Sequence, residues 1–258
     1  MVTEVHEPKI SVIGVVKSFG DKRVLDGVDF GVMAGESVVV VGGSGAGKTV
    51  LIKHMIGLLQ PDEGRVVMDG VDLKTASPQA ALEARKRCGM SFQEGALFDS
   101  MTVFDNVAFP IRRHRRDVGP RAVAARVREC LGLVRLAGIE GKMPAELSGG
   151  MRRRVGFARA IALEPGILLF DEPTAGLDPI NTAAIATVID RLRRELLVTV
   201  VTITHDLSLA FRIADRIAMI RRGRIVAFGE PEAFRASPDP YVQAFLNGEV
   251  PQDEEEML

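Results

Sequence analysis

The chain has 258 residues, of which 47% are hydrophobic and 26% charged, with a formal net charge of −1. That length suits one large α/β domain or a core with an inserted lobe, and it is ample for a sizeable core. The near-neutral charge argues against bulk attraction to nucleic acid or anionic lipid, and no apolar run approaches the roughly 20 residues of a membrane-spanning helix.

Three strand-like runs open the chain between residues 10 and 42: "ISVIGVVKSF", "VDFGVMAG" and "SVVVVG". The third is continuously apolar, as expected of a strand buried on both faces of a parallel sheet. A glycine loop leads into the helical pattern "KTVLIKHMIGLL", residues 48–59, and then "GRVVMDGVDL" follows with "MDG" as a turn. From about residue 93 helical periodicity dominates, in "RAVAARVRECLGLVRLAGI" and "GMRRRVGFARAIALE", which marks an inserted helical lobe at approximately 94–164. "GILLFDEP" and "LVTVVTITHD" return to buried strands on either side of the helix "INTAAIATVIDRLRREL", and "RIAMIRRGRIVAFG" is a pair of short strands about a turn at Arg222-Gly223. "SPDPYVQAFLNGEVPQDEEEML" reads as a short helix and an acidic tail. The predicted organisation is one α/β domain over 1–247 and a tail over 248–258.

Three motifs carry chemistry. "GGSGAGKT", residues 42–49, matches the phosphate-binding pattern G-x-x-x-x-G-K-[ST] between a predicted strand and helix. Gly42, Gly43, Gly45 and Gly47 let backbone N–H groups wrap phosphate oxygens, and Ser44, Ala46 and Val50 are assigned with them to nucleotide binding. Lys48 reaches the β- and γ-phosphates, and the Thr49 hydroxyl takes Mg²⁺. "ILLFDE" is an apolar strand ending in two acids; an acid there is costly unless a cation meets it, which assigns Asp171 to Mg²⁺ and Glu172 to polarising a water beside the γ-phosphate. His205 in "TITHD" ends a strand expected to lie parallel to that one, at the carboxyl edge where open α/β sheets bind ligands, and is assigned to the γ-phosphate and the attacking water. His6, His54 and His114 have no such placement.

A second glycine cradle, "LSGGM" at 147–151, precedes a helix about a hundred residues after the first. Taken in order, "GGSGAGKT", Gln93 in "SFQEGALF", "LSGGM", "ILLFDE", "GLDP" at 176–179 and "THD" resemble the ATPase subunits of ABC transporters over nearly the whole chain. The resemblance implies a P-loop NTPase core with a mixed sheet, an N-terminal antiparallel β subdomain and an inserted α-helical subdomain. It implies Mg²⁺ with substrate ATP, held by Thr49, Gln93 and Asp171, and hydrolysis by Glu172 with Gln93 and His205. It implies a head-to-tail homodimer in which Ser148, Gly149 and Gly150 close on the partner's nucleotide, with Asp178 along the same interface. Phe19 stands where a tyrosine usually stacks on adenine and keeps the π-face; Met151 stands where glutamine is usual.

The stretch "EGALFDSMTVFDNVAFPIRRH" and "LSGGM" resemble the ATPases of MCE-type lipid transporters, including the Mla phospholipid system. That implies membrane permease subunits and an MCE-domain partner, with Phe98, Met101, Val103, Phe104, Val107 and Phe109 as apolar anchors. The alternatives are an importer ATPase for amino acids or another small solute, and a non-transport ABC ATPase. "RRHRRD" (112–117) and "RRR" (152–154) read as solvated helical faces; with no Trp and one Tyr in the chain, nucleic acid is not an expected partner. The start "MVTEVHEPKISVIGVV" lacks signal-peptide character, and Cys88 and Cys130 lack metal spacing and read as reduced, partly buried thiols. The expected location is the cytoplasmic face of the inner or plasma membrane, held there through the permease.

Overall fold

A computed structural model describes residues 7–93 and 95–249. Ile10–Phe19 (β1) and Lys22–Val32 (β2) form an antiparallel hairpin. Ser37–Val41 (β3) is buried at all five residues and leads through the glycine loop to Lys48–Met55 (α1). Glu63–Met68 (β4) and Val71–Asp72 (β5) flank a turn whose Asp69 and Gly70 both have positive φ, 52° and 77°. This arrangement suits the tight connection of an antiparallel pair. Pro78–Lys86 (α2) and Cys88–Ser91 (β6) precede a helical stretch: Val103–His114 (α3), Pro120–Leu133 (α4), a short 3₁₀ turn at Pro144–Glu146 and Gly149–Ala160 (α5). The chain then alternates through Ile167–Asp171 (β7), Pro179–Leu196 (α6), Thr199–Thr204 (β8) and Leu207–Ile213 (α7). Arg216–Arg221 (β9), Arg224–Gly229 (β10), Pro231–Arg235 (α8) and Pro240–Asn247 (α9) complete the described residues.

The strands make two sheets. One is antiparallel, in the order β2-β1-β4-β5; the other runs β10-β9-β3-β8-β7-β6, parallel except for the β10 edge. Alternation along the buried strands divides the core. Val38 and Val40 of β3 face the antiparallel sheet and α1, together with Leu169, Val201 and Ile203. Val39 and Val41 face the helices, together with Leu168, Phe170 and Val200. The parallel register aligns Val41 with Thr204 and Asp171 with Ile203, so the loops that follow β3, β7 and β8 open on one carboxyl edge.

Several expectations need correction. The helix after the glycine loop ends at Met55, because Gly57 takes φ 70° and its N–H turns back to the His54 carbonyl. The "RRR" cluster is not a solvated face: Arg153 is buried, and Arg154 donates to the carbonyls of Val134 and Arg135. Val103 and Val107 lie in the core, whereas Phe98 and Phe109 stay exposed with ring centroids 4.9 Å apart. The helix within 240–247 docks on its own domain, with Tyr241 and Val242 buried. Both cysteines are buried and free, and burial pushes each thiol up to about 12. The acidic tail beyond Glu249, and His6, lie outside the described residues. No helix among the described residues is long and apolar enough to cross a membrane.

Candidate functional site

The loop between β3 and α1 turns only because glycine permits it. Gly45 and Gly47 take φ 74° and 107°, and a Cβ on Gly47 would stand 2.9 Å from both the Leu25 side chain and the Val24 carbonyl. With Gly47 at the helix cap and no side-chain cap bond there, the first N–H groups of α1 point into the loop, the arrangement that receives an anion. Lys48 is nearly buried and folds back over the loop, its Nζ donating to the carbonyls of Gly42 at 2.7 Å and Gly43 at 3.0 Å and lying 3.5 Å from Glu172 Oε1.

The acids at the end of β7 are aimed differently. Asp171 continues the strand and is buried; Thr49 Oγ1 donates to its Oδ1 across a long 3.5 Å. Burial, and then the neighbouring Glu172 charge, push the Asp171 carboxyl above the usual carboxylate range. Its surroundings therefore suit a cation. Glu172 breaks the strand with φ 46°, while its N–H still pairs with the Ile203 carbonyl at 2.9 Å. That kink points the side chain along the sheet edge, where Oε2 accepts from His205 Nδ1 at 2.9 Å and from the His205 N–H at 3.3 Å. A carboxylate only accepts, so Nδ1 is the donor in this pair.

A cleft of about 740 Å³ collects Phe19, Ser44, Gly45, Gly47, Lys48, Thr49, Val50, Gln93, Glu172 and His205. Phe19 is 48% exposed at the end of β1, with its ring open to stack on a base. Lys22 and Val24, across the hairpin from it, and Ala175 complete the lining and went unread in the sequence. Gly42, Gly43 and Ala46 support the loop from behind. Gly43, for instance, lies beside the buried Tyr241, whose hydroxyl a Cβ would meet at 3.7 Å.

Ser148, Gly149 and Gly150 are not brought to this cleft. Ser148 caps α5, its Oγ accepting from the Met151 N–H at 3.3 Å, and Gly149 lines a second cleft of about 630 Å³ with Arg152, Gly176 and Leu177. Asp178 lines neither cleft: it caps α6, Oδ1 accepting from the N–H groups of Ile180 and Asn181 at 3.0 Å each. The Asn181 N–H foremost holds the Asp178 carboxyl below its ordinary range. Ala175 lines both clefts. The first cleft therefore takes in the glycine loop before α1, the second takes in Gly149 at the start of α5, and neither takes in both.

Comparison with known proteins bears on the same residues. Residues 25–175 match the family described as ABC transporter. The chain is 42% identical over 239 residues to the probable ribonucleotide transport ATP-binding protein mkl of Mycobacterium tuberculosis, a match covering 93% of this chain and 66%, just under two thirds, of that protein. It is 41% identical over 229 residues to the intermembrane phospholipid transport system ATP-binding protein MlaF of Escherichia coli K12, covering 89% of this chain and 85% of MlaF. Among solved structures it is similar to the dimeric post-hydrolysis state of the ATP-binding cassette MJ0796 bound to ADP and Pi, with a TM-score of 0.78, 29% identity, and coverage of 86% of this chain and 98% of that one. It is also similar to cbiO1 from Clostridium perfringens, part of the ABC transporter complex cbiONQ, with a TM-score of 0.82, 26% identity, and coverage of 97% and 99%.

Proposed function

The chain belongs to the ABC transporter family, and from that premise we propose that it is the ATP-hydrolysing subunit of a lipid transporter, with phospholipid as cargo. It works as a head-to-tail homodimer on the cytoplasmic face of the membrane, beneath permease subunits and with an MCE-domain partner. The observation that carries this reading is the separation of the two glycine motifs: Lys48 and Glu172 line one cleft, and Gly149 of the Ser148–Gly150 segment lines another. In this reading residues 1–247 are the ATPase domain, and 94–164 the lobe that meets the permease.

The chemistry follows from the residues that line the first cleft. The loop N–H groups and Lys48 take the phosphates; as they arrive, Lys48 exchanges the Gly42 and Gly43 carbonyls for phosphate oxygens. Glu172, oriented by His205 Nδ1, accepts a proton from the attacking water, while Gln93 and His205 Nε2 fix that water in line with the γ-phosphorus. Phe19 stacks on the adenine, and the partner's Ser148–Gly150 segment adds donors as negative charge spreads over the phosphoryl oxygens. Thr49, Gln93 and Asp171 would hold Mg²⁺, which offsets charge on the β- and γ-phosphates. Among the described residues no three His, Cys, Asp or Glu side chains form a metal cluster. A divalent ion that completes its shell with phosphate oxygens needs no such cluster.

The name of the mycobacterial relative favours a second cargo, a ribonucleotide. Lipid is preferred on the "EGALFDSMTVFDNVAFP" stretch and the name of MlaF. Purifying the chain with its membrane partners in detergent tests the choice. A permease, an MCE-domain protein and co-extracted phospholipid are expected. A permease with a soluble solute and no lipid would overturn the cargo, and purification without any membrane protein would overturn the transport role.

A further inference from the structure

The two clefts of this chain are joined through one buried side chain. Arg153 lies on α5, five residues after the Ser148 cap, and is 8% exposed. Its Nε donates to the Gln93 carbonyl at 2.9 Å, and a terminal nitrogen of the same guanidinium donates to the Ala175 carbonyl. Gln93 follows β6, and Ala175 lies three residues after Glu172, with its N–H turned back to the Glu172 carbonyl at 3.2 Å. A planar guanidinium with donors in a fixed fork can hold two carbonyls on separate segments at once, which the single ammonium of a lysine does less well. Further along the same helix, a Cβ on Gly156 would stand 2.9 Å from the Gly95 Cα, and Arg159 donates to the carbonyls of Gly95 at 2.7 Å and Ala96 at 2.8 Å. Helix α5 therefore grips the loop after β6 at three successive levels. Of these contacts, Arg153 is the one that also reaches the loop after β7.

We propose that Arg153 is a positioning residue that couples the two ATP sites of the dimer. When the partner's nucleotide closes on Gly149 and Gly150 at the N-terminus of α5, the helix shifts, and the guanidinium carries that shift to Gln93 and to the Glu172–Ala175 turn of its own chain's site. The link is stiff because giving up either carbonyl costs the buried guanidinium a charge-assisted hydrogen bond. The inference rests on the dimeric ATPase reading above.

The test measures ATP hydrolysis against ATP concentration for the full-length chain as wild type, Arg153→Lys, Arg153→Gln and Arg159→Lys, with Mg-ADP binding measured in parallel. Wild type and Arg159→Lys are expected to show a Hill coefficient approaching about 2, the number of sites, and both Arg153 variants about 1, with ADP affinity unchanged to within about twofold. A merely structural role would weaken ADP binding or lower the melting temperature without removing cooperativity. Cooperativity retained in folded Arg153→Lys, or lost equally in Arg159→Lys, overturns the proposal. Non-cooperative hydrolysis by the wild type overturns the coupling and leaves the ATPase reading standing, whereas no hydrolysis at all overturns both. If neither Arg153 variant folds, amide exchange of the wild type decides: residues 95–97 and 174–177 are expected to gain protection together as ATP closes the dimer, and independent responses overturn the proposal.

Discussion

Asp171 and Glu172 are adjacent acids that differ because one keeps the strand's backbone and the other leaves it. Asp171 stays buried beside Thr49, while Glu172, at φ 46°, reaches the cleft and His205. Replacing Glu172 by Gln is expected to leave ATP binding intact and slow turnover at least about a hundredfold, the scale of losing a positioned base. The ATP-bound dimer then accumulates, as size-exclusion chromatography would reveal; near-normal hydrolysis would remove Glu172 from the role. For Asp171 the consequence appears first in stability. Its pKa is raised in the folded state, so between pH 3.8 and the folded pKa the folded chain holds a proton that the unfolded chain has lost. Stability from this site therefore falls as pH rises through the folded pKa, and the penalty remains in full above it. Asp171→Asn is expected to stabilise the nucleotide-free protein at neutral pH by about 0.5–2 kcal/mol while abolishing hydrolysis, the trade-off common at active sites. Denaturant unfolding at a series of pH values from about 4 to 8 without divalent cation checks it: the gain over wild type grows as pH rises.

At the scale of elements, the apolar runs of β3 and β7 and the β-branched run of β8 were legible, since they suit strands buried on both faces. The cradle was legible too, because its glycines and Lys48 are fixed by phosphate geometry within one short segment. What stayed hidden depends on contacts distant in sequence. Helix α2 is short and buries only two small residues, Ala81 and Ala84, and β6 is four residues carrying a glycine. Arg153 looks like its neighbours Arg152 and Arg154 until α5 is laid against the loops carrying Gln93 and Ala175. Helix α9 offered Tyr241, Phe245 and Leu246 as a face without saying whose surface it meets. In the fold Tyr241 is buried, and the Arg221 guanidinium lies 3.8 Å from its ring centroid. Tyr241→Ala is expected to cost about 3 kcal/mol, the scale of truncating a buried aromatic, measured from the denaturant midpoint. An unchanged midpoint with weaker dimerisation would instead assign the segment to the partner subunit.

At the scale of the molecule, in the proposed reading one sheet edge serves one nucleotide and one helix N-terminus serves another. The chain carries two half-sites that a second copy completes in the proposed dimer. The most direct measurement of that claim is vanadate trapping of nucleotide in a dimer that mixes one chain carrying Lys48→Ala with another carrying Ser148→Arg. If the cradles act across the dimer, the intact Lys48 faces the intact Ser148 at one site and both lesions fall on the other. If both cradles served one nucleotide within a chain, each site would carry one lesion. Trapping reports a closed site that mimics the transition state, so it does not require turnover at both sites. The account predicts trapping at one site in the mixed dimer and strongly reduced trapping in either mutant homodimer; an assembled mixed dimer that traps no more than the homodimers would contradict it.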